Sequence, residues 1–452
     1  MCDRGYLAGD MRTFAAIIFW STVVIPASGQ ARLFGSRDDL LEQPNRVAWL
    51  YEGSVGIYTG LSLIGPQWRT AGRVLADART PRISARFSGT LRAGLYGAYE
   101  EDVDELYDLL RAVEYVHYES RSNQAYIRLG ALNRTRLGLG QVVNFLNSTA
   151  SWAERGVGIE AEVSGPALGL QVFATDVRLD GLVGAQIQLR PFAPSRYRAL
   201  RSFQLSAGRV WDRHEVSEDV VQFGALTLEA RFEAWRSGAF GLLPFVSYSR
   251  SRGRGDGLFA GADVQSDNFI DLARLHFRVA LHFNSRRFLP GYAGPFYMVQ
   301  SPHARIIAAE QPDEATTLYS AGTSIDAVPR NQGLETELRI LIFDRFEFWY
   351  RFVRNFASSS LSQFNTRLAV RARNFRLAIG QDRGSLAGIF SLFDSLGDIN
   401  LLRFEAAYRF QDFLWVQIEA RYTYERLPAE GVEDQFQIER RFDPLVGLRY
   451  SF

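Results

Sequence analysis

Apolar and polar residues alternate with period two along most of this chain, and that pattern narrows the fold more than any other feature. In "FLWVQIEARYTY" (413–424), Leu414, Val416, Ile418, Ala420, Tyr422 and Tyr424 share one face, and Gln417, Glu419, Arg421 and Thr423 the other. In "LRFEAAYRF" (402–410), Leu402, Phe404, Ala406, Tyr408 and Phe410 oppose Arg403, Glu405 and Arg409. In "LHFRVALHF" (275–283), Leu275, Phe277, Val279, Leu281 and Phe283 oppose His276, Arg278 and His282. Near 82–99, Ile83, Phe87, Leu91, Leu95 and Tyr99 oppose Arg82, Arg86, Thr90 and Arg92. Successive side chains of a strand point to opposite faces, so each stretch reads as a two-faced strand. The stretches run to about 9–12 residues, the length a tilted strand needs to cross a bilayer. Their polar faces carry full charges of both signs, which leaves no region suited to a soluble core.

The connections sharpen the pattern. Reading back from the last strand (about 438–452), a long link at 425–437 is followed by a short one at Gln411-Asp412, then a long one at 382–399. A short turn at Arg373-Asn374, a looser loop at "NFASSSLSQ" and a tight turn at Asp344-Arg345 continue the alternation. Short turns at one end and long loops at the other build an up-and-down barrel. Further strands are expected near 288–300, 270–283, 240–250, 222–234, 200–211, 181–191, 167–176, 156–164, 124–132, 82–99 and 47–63, with 250–268 as an outer loop. The expected fold is therefore all-β, a transmembrane antiparallel up-and-down β-barrel of about 18 strands, with about 14 as the lower bound.

Composition agrees. Hydrophobic residues make up 47% and aromatics 13%, yet the mean hydropathy is only -0.12, as alternation requires. The formal net charge of +1 gives no electrostatic case for nucleic acid. The chain contains no Lys, so Arg carries all of the fixed positive charge. "MRTFAAIIFWSTVVIPASGQA" (11–31) has a basic start, a short apolar core and an Ala27-Ser28-Gly29 cleavage site, the pattern of a secretory signal peptide. The expected division is a signal peptide at 1–29 (Met11 being an alternative start), a short segment at 30–46 and the barrel at 47–452. Cys2 falls in the leader, so the mature chain has no thiol chemistry.

Two segments break the alternation. "EEDVDELYDLLRAVEYV" (100–116) places Val103, Leu106, Tyr107, Leu110 and Val113 at helical spacing and is expected as a short periplasmic-side helix. "NRTRLGLGQVVNFLNSTASWAERG" (133–156) is too long for a simple turn, and is the candidate for a loop folded into the lumen.

The chain ends on "LVGLRYSF", with Val446, Leu448, Tyr450 and Phe452 at alternate positions. This resembles the C-terminal β-signal of Gram-negative outer-membrane β-barrel proteins, porin-like in build. The resemblance covers about residues 45–452 and implies an outer-membrane location. It also implies outer-membrane lipid, the barrel assembly machinery and the secretion translocon as partners, with a homo-oligomer left open. It names no subfamily, and no plug domain of the energy-coupled kind fits before the first strand.

The chemistry-bearing residues are sparse. The five histidines are His117, His214, His276, His282 and His303. His276 and His282 share one strand face but stand about 20 Å apart along it, too far to share a metal. No metal-ligand pair, cofactor motif or catalytic set emerges, so no enzyme is expected. The informative surface is the inward face. Its expected pore-lining cations are Arg274, Arg278, Arg339, Arg351, Arg371, Arg403, Arg409, Arg421 and Arg449; its anions are Glu335, Glu337, Glu347, Glu405 and Glu419, with Glu160, Glu229 and Glu233 further back. The expected function is a porin-like channel for passive diffusion or uptake of small polar solutes, leaning toward anions. A structural or adhesive barrel with a filled lumen is the alternative, and a barrel hydrolase the third.

Overall fold

A computed structural model describes residues 35–44 and 51–452, apart from 96, 100–101, 103–105, 121–123, 153, 214–222, 270–271, 300–303, 308–327, 358–360, 387–399 and 428–433. The expected leader, His214 and His303 lie outside the described residues.

The alternating stretches form one antiparallel sheet that closes on itself. Its first half contains β1 (Glu52–Ile64), β2 (Gln67–Arg79), β3 (Ile83–Gly94), β4 (Gly97–Ala98), β5 (Val113–Glu119), β6 (Ala125–Gly130), β7 (Gly158–Ser164), β8 (Leu168–Ala174), β9 (Leu182–Leu189), β10 (Gln204–Asp212), β11 (Gly224–Arg231) and β12 (Trp235–Ser237). The second contains β13 (Phe240–Ser251), β14 (Gly255–Phe269), β15 (Ala273–Asn284), β16 (Ala304–Ile307), β17 (Asn331–Ile342), β18 (Phe346–Asn355), β19 (Gln363–Arg371), β20 (Phe375–Arg383), β21 (Asn400–Arg409), β22 (Leu414–Leu427) and β23 (Asp434–Ser451). Among the described residues, twenty of these make the wall. The others are additions: β4 pairs with β3, β12 with β13, and β16 runs parallel to the start of β23.

The barrel closes where β1 meets β23, with Ser54 opposite Ser451 and Gly60 opposite Leu445. Gly53 and Phe452 exchange two backbone hydrogen bonds of 2.9 Å. The Phe452 ring lies over Gly53, and a side chain at that position would collide with it. Val446, Leu448, Tyr450 and Phe452 all face outward, Phe452 with 71% of its surface exposed.

Twenty strands replace the expected eighteen for three reasons. β2 and β5 were not anticipated: the outward face of β2 is Trp68, Thr70, Gly72, Val74 and Ala76, too small and polar to register. The stretch 250–268, expected as a loop, is mostly β14, whose inward face carries Gly257, Gly261 and Asp263. The expected strand at 288–300 is instead a buried loop. Missing β2 also reversed the parity upstream. The helix expected over 100–116 on the periplasmic side is four residues long, Asp108–Arg111, and follows β3 at the end opposite Phe452. A second short helix, Arg198–Ser202, lies at the Phe452 end.

Links at the Phe452 end are mostly short, as at 80–82, 165–167, 343–345, 372–374 and 410–413. Exposed aromatics gather there: Phe192, Tyr197, Trp235, Phe269, Phe343, Tyr408, Phe410, Phe413 and Tyr450. Such a girdle marks the level of lipid headgroups. Above it the outward positions are apolar, as at Leu226, Leu228, Val246, Leu281 and Leu448. Tyr422 and Tyr424, expected on this greasy face, are buried. Tyr424 packs instead with Phe296, Val299, Leu401 and Phe436, where the loop after β15 folds onto the ends of β22 and β23.

Candidate functional site

The site is the lumen, and two segments of chain cross it. The first is a strap, 35–44, which turns through a short 3-10 helix at Ser36–Asp38. Ser36, Arg37, Asp39, Leu40, Leu41, Glu42 and Gln43 are all buried. On one side Arg37 donates to Glu119 of β5 at 2.8 Å and stands 3.5 Å from Glu162 of β7. Ser36 donates to Glu160 of β7. Glu42 grips Arg128 of β6 through two bonds, 2.6 and 2.9 Å. On the other side the Leu40 amide donates to Glu347 of β18 at 3.2 Å, Arg339 of β17 to the Asp38 carbonyl at 2.6 Å, and Arg371 of β19 to the Leu40 carbonyl at 3.2 Å. β6 and β18 stand ten wall strands apart in either direction. The strap therefore spans the barrel from wall to wall.

The second is the link between β6 and β7, 131–157, which contains the segment (133–156) singled out as a candidate inward loop. It winds around the interior. Arg134 reaches Glu347 at 2.9 Å and Arg136 reaches Glu337 at 2.6 Å. The Leu139 amide donates to Glu229 of β11 at 2.8 Å, and its carbonyl accepts from Arg278 of β15 at 2.8 Å. Gln141 accepts from Ser247 and Ser249 of β13 at 2.7 and 2.8 Å. Gly138 sits at φ +58 against Gln186 and Glu229, so both its conformation and its surroundings exclude a side chain. The loop's apolar residues Leu132, Leu137, Val142, Val143 and Leu146 pack with Tyr292, Ala293 and Tyr297 from the loop after β15. That packing is why 288–300, apolar enough to suggest a strand, lies inside instead.

Between strap and loop lies a chamber of about 100 Å³. Arg128, Arg134, Arg155, Arg367, Arg376, Arg403 and Arg421 line it, against Asp39, Glu42, Glu114, Asp382 and Glu405. Trp152 is its aromatic centre. The Arg421 guanidinium lies 3.3 Å from the indole centroid, Arg155 4.1 Å and Arg403 5.8 Å. Arg155 donates to the carbonyls of Trp152 and Arg111, each at 2.7 Å. Burial and the neighbouring Arg421 and Arg111 pull its pKa downward, only partly offset by Glu114. Guanidinium nevertheless stays charged at neutral pH, so the chamber holds a cation short of counter-charge.

The residues expected on the inward face divide into groups. Arg278, Arg351, Glu335, Glu337, Glu347, Glu405, Glu419 and Arg421 are buried in ion pairs or stacks. Arg339 and Arg371 hold the strap. Arg403 faces the chamber, 3.5 Å from Glu405. Arg449 bonds Ser54 and Asp77 at 2.9 and 2.8 Å. Arg274 and Arg409 lie at the short-turn rim, on Asp344 and on Asn374. Sequence reasoning did not single out Arg128, Arg134, Arg155, Trp152, Asp39 or Glu42. For Arg128 the signal was present, since "AYIRLG" alternates; the loop and strap residues carry no period at all.

His276 stands 3.3 Å from Asp263, but Arg278 already holds that carboxylate through bonds of 2.8 and 3.1 Å. The other His276 ring nitrogen has no hydrogen-bond partner. Among the described residues no group of acidic, histidine or cysteine side chains forms a metal cage.

A closed antiparallel barrel with an apolar outer wall, an aromatic girdle and a charged interior has the build of an outer-membrane-type β-barrel. No family model matches the chain, and no curated protein matches it. Among solved structures it is similar to OccAB2 of Acinetobacter baumannii, with TM-score 0.32, 10% identity, 89% of this chain and 97% of that one. The outer-membrane protein opdK of Pseudomonas aeruginosa gives TM-score 0.32 and 9% identity over 89% and 99%. Wzi of Escherichia coli, described as a carbohydrate-binding β-barrel involved in group 1 capsule assembly, gives 0.31 and 10% over 89% and 84%.

Proposed function

We propose that the protein is a selective outer-membrane channel for small anionic solutes, not a wide general pore. The observation that carries this reading is the chamber between strap and loop, where seven arginines face five carboxylates. Charge lining a narrow passage selects solutes by sign, because a low-dielectric surround strengthens each interaction. Two crossing segments make the passage narrow, so flux is set by the chamber and not by the width of the wall. The test is single-channel conductance of the refolded barrel in a planar bilayer with a salt gradient across it. Small steady conductance with a reversal potential on the anion side supports the reading. A barrel shown folded by heat-modifiable gel mobility, yet silent in every salt, overturns it.

A filled structural barrel is the second reading. The cluster joining Leu132, Val143, Leu146, Tyr292 and Tyr297 inside the lumen, against the β8–β11 wall, favours it. Silence in the same experiment supports that reading.

A further inference from the structure

The strap does more than narrow the lumen. Its Glu42 meets Arg128 as a planar fork on a planar fork, Oε2 to Nε at 2.6 Å and Oε1 to Nη2 at 2.9 Å. The third guanidinium nitrogen of Arg128 donates to the Ala131 carbonyl at 2.7 Å. Each guanidinium nitrogen of Arg128 thus has a partner, and the side chain is fully buried, while Glu42 is in place. If Glu42 simply left, a buried guanidinium would lose its counter-charge, and that is strongly unfavourable. The strap's other chamber carboxylate is held less closely: Asp39 stands 3.6 Å from Arg134, which has Glu347 at 2.9 Å as well. At its start the strap is pinned by side chains, Arg37 on Glu119 and Glu162 and Ser36 on Glu160; beyond Arg37 the remaining grips fall largely on its backbone, from Arg339, Arg371 and Tyr115 onto the carbonyls of Asp38, Leu40 and Leu41. Water can replace a neutral carbonyl acceptor. Only another forked anion replaces Glu42 without orphaning Arg128.

We infer that Arg128 is a carboxylate-binding site, that Glu42 is its built-in occupant, and that a carboxylate-bearing solute entering the chamber takes the place of Glu42 and releases the Glu42 end of the strap, which stays tethered at Ser36 and Arg37. This rests on the channel reading above. The exchange trades one bidentate carboxylate for another, so the Arg128 pairing is as complete after release as before. Chloride lacks two oxygens in a plane, and a neutral sugar lacks the charge, so neither makes the trade. Arg128 and Glu42 both line the chamber, so the exchange takes place at its wall.

The experiment uses the full mature chain in a planar bilayer. Open probability is read in chloride, then with millimolar acetate or inorganic phosphate at equal ionic strength. Acetate is expected to raise it severalfold over chloride. Glu42→Gln is expected to open in chloride alone and to lose the acetate response. A second variant guards against misfolding: Leu41→Cys with Ala369→Cys joins strap to wall within their shared apolar contact, in a mature chain otherwise free of cysteine. Oxidation should silence the acetate response and reductant should restore it. A wild type that conducts in chloride and ignores acetate, with the oxidised pair conducting like the reduced one, overturns the inference and leaves the channel standing. A response to phosphate alone overturns the carboxylate assignment. Silence of wild type, Glu42→Gln and reduced pair in every salt overturns the channel reading, and this inference with it.

Discussion

The two sides of the lumen treat charge differently. Along β14–β18, acid and base are matched. Asp263 holds Arg278, Glu335 holds Arg351 at 2.9 Å, and Glu337 holds both Arg136 at 2.6 Å and the Trp349 indole N–H at 3.0 Å. Along β20–β22 the acids are oversubscribed. Glu405 serves Arg86 at 2.9 Å, Arg376 at 3.3 Å and Arg403 at 3.5 Å, while Arg155 is bonded to carbonyls only. Both walls have similar alternating sequences, and both looked alike as candidate pore linings. Their difference teaches that a charged inward face is a strut where each charge has a close counter-charge, and a receiving surface only where some charge is left over.

The sharpest way to break this comparison is in the matched wall. Glu335→Gln leaves Arg351 and His282 facing a neutral amide in a site closed to water. A loss of about 3–5 kcal/mol is expected for a buried pair broken on one side, read as a lower urea midpoint of the refolded barrel. Stability within about 0.5 kcal/mol of wild type would show that the wall is not held by its pairs. On the chamber side, Trp152→Ala removes the surface on which Arg421 stacks. A cost of about 1–3 kcal/mol is expected in the same urea experiment, with a higher unit conductance.

Arg155→Gln should be close to neutral, within about 1 kcal/mol, because its burial is already opposed by Arg421. The same variant should move the reversal potential toward zero. A large stability loss without that movement would make Arg155 a strut like the others. The smallest effect concerns pH. Burial pushes the Asp39 carboxyl up, but Arg134, the Leu41 amide and Arg128 together hold it below the ordinary carboxylate value. The stabilisation it adds to the strap is therefore complete above that ordinary value and lost only as pH falls through the depressed one. The Asp39 contribution to conductance should be flat from about pH 5 to 8 and change only in stronger acid. A step near neutrality would come from another contact of the strap, not from Asp39.

Much of the wall was legible in the sequence, because period-two alternation is what a half-lipid, half-lumen strand must show. Where Gly, Ala and Thr dilute the apolar residues of an outward face, as they do Trp68 and Val74 in β2, the contrast between faces fades and the strand goes unseen. One missed strand was enough to assign the Asp108–Arg111 helix to the wrong end. Unusual length and Gly content pointed to the loop at 131–157, but nothing in its spacing indicated which wall its arginines would meet. The strap was the least legible part. Nothing in "GSRDDLLEQ" (35–43) distinguishes a segment buried among ten-strand-distant walls from an ordinary polar tail; its partners are dispersed from Arg79 to Arg371.

The seam between β1 and β23 joins stretches nearly four hundred residues apart in the chain, as the bond between Ser54 and Arg449 shows. Pairing over such a span is slow and waits for most other contacts to form. A ring that shuts late leaves time for its contents to settle. The strap, which runs ahead of β1, and the winding link between β6 and β7 can find their ion pairs while the wall is still an open curved sheet. Late closure thus lets the vessel be filled before it is sealed, with no need to thread each segment through a finished mouth.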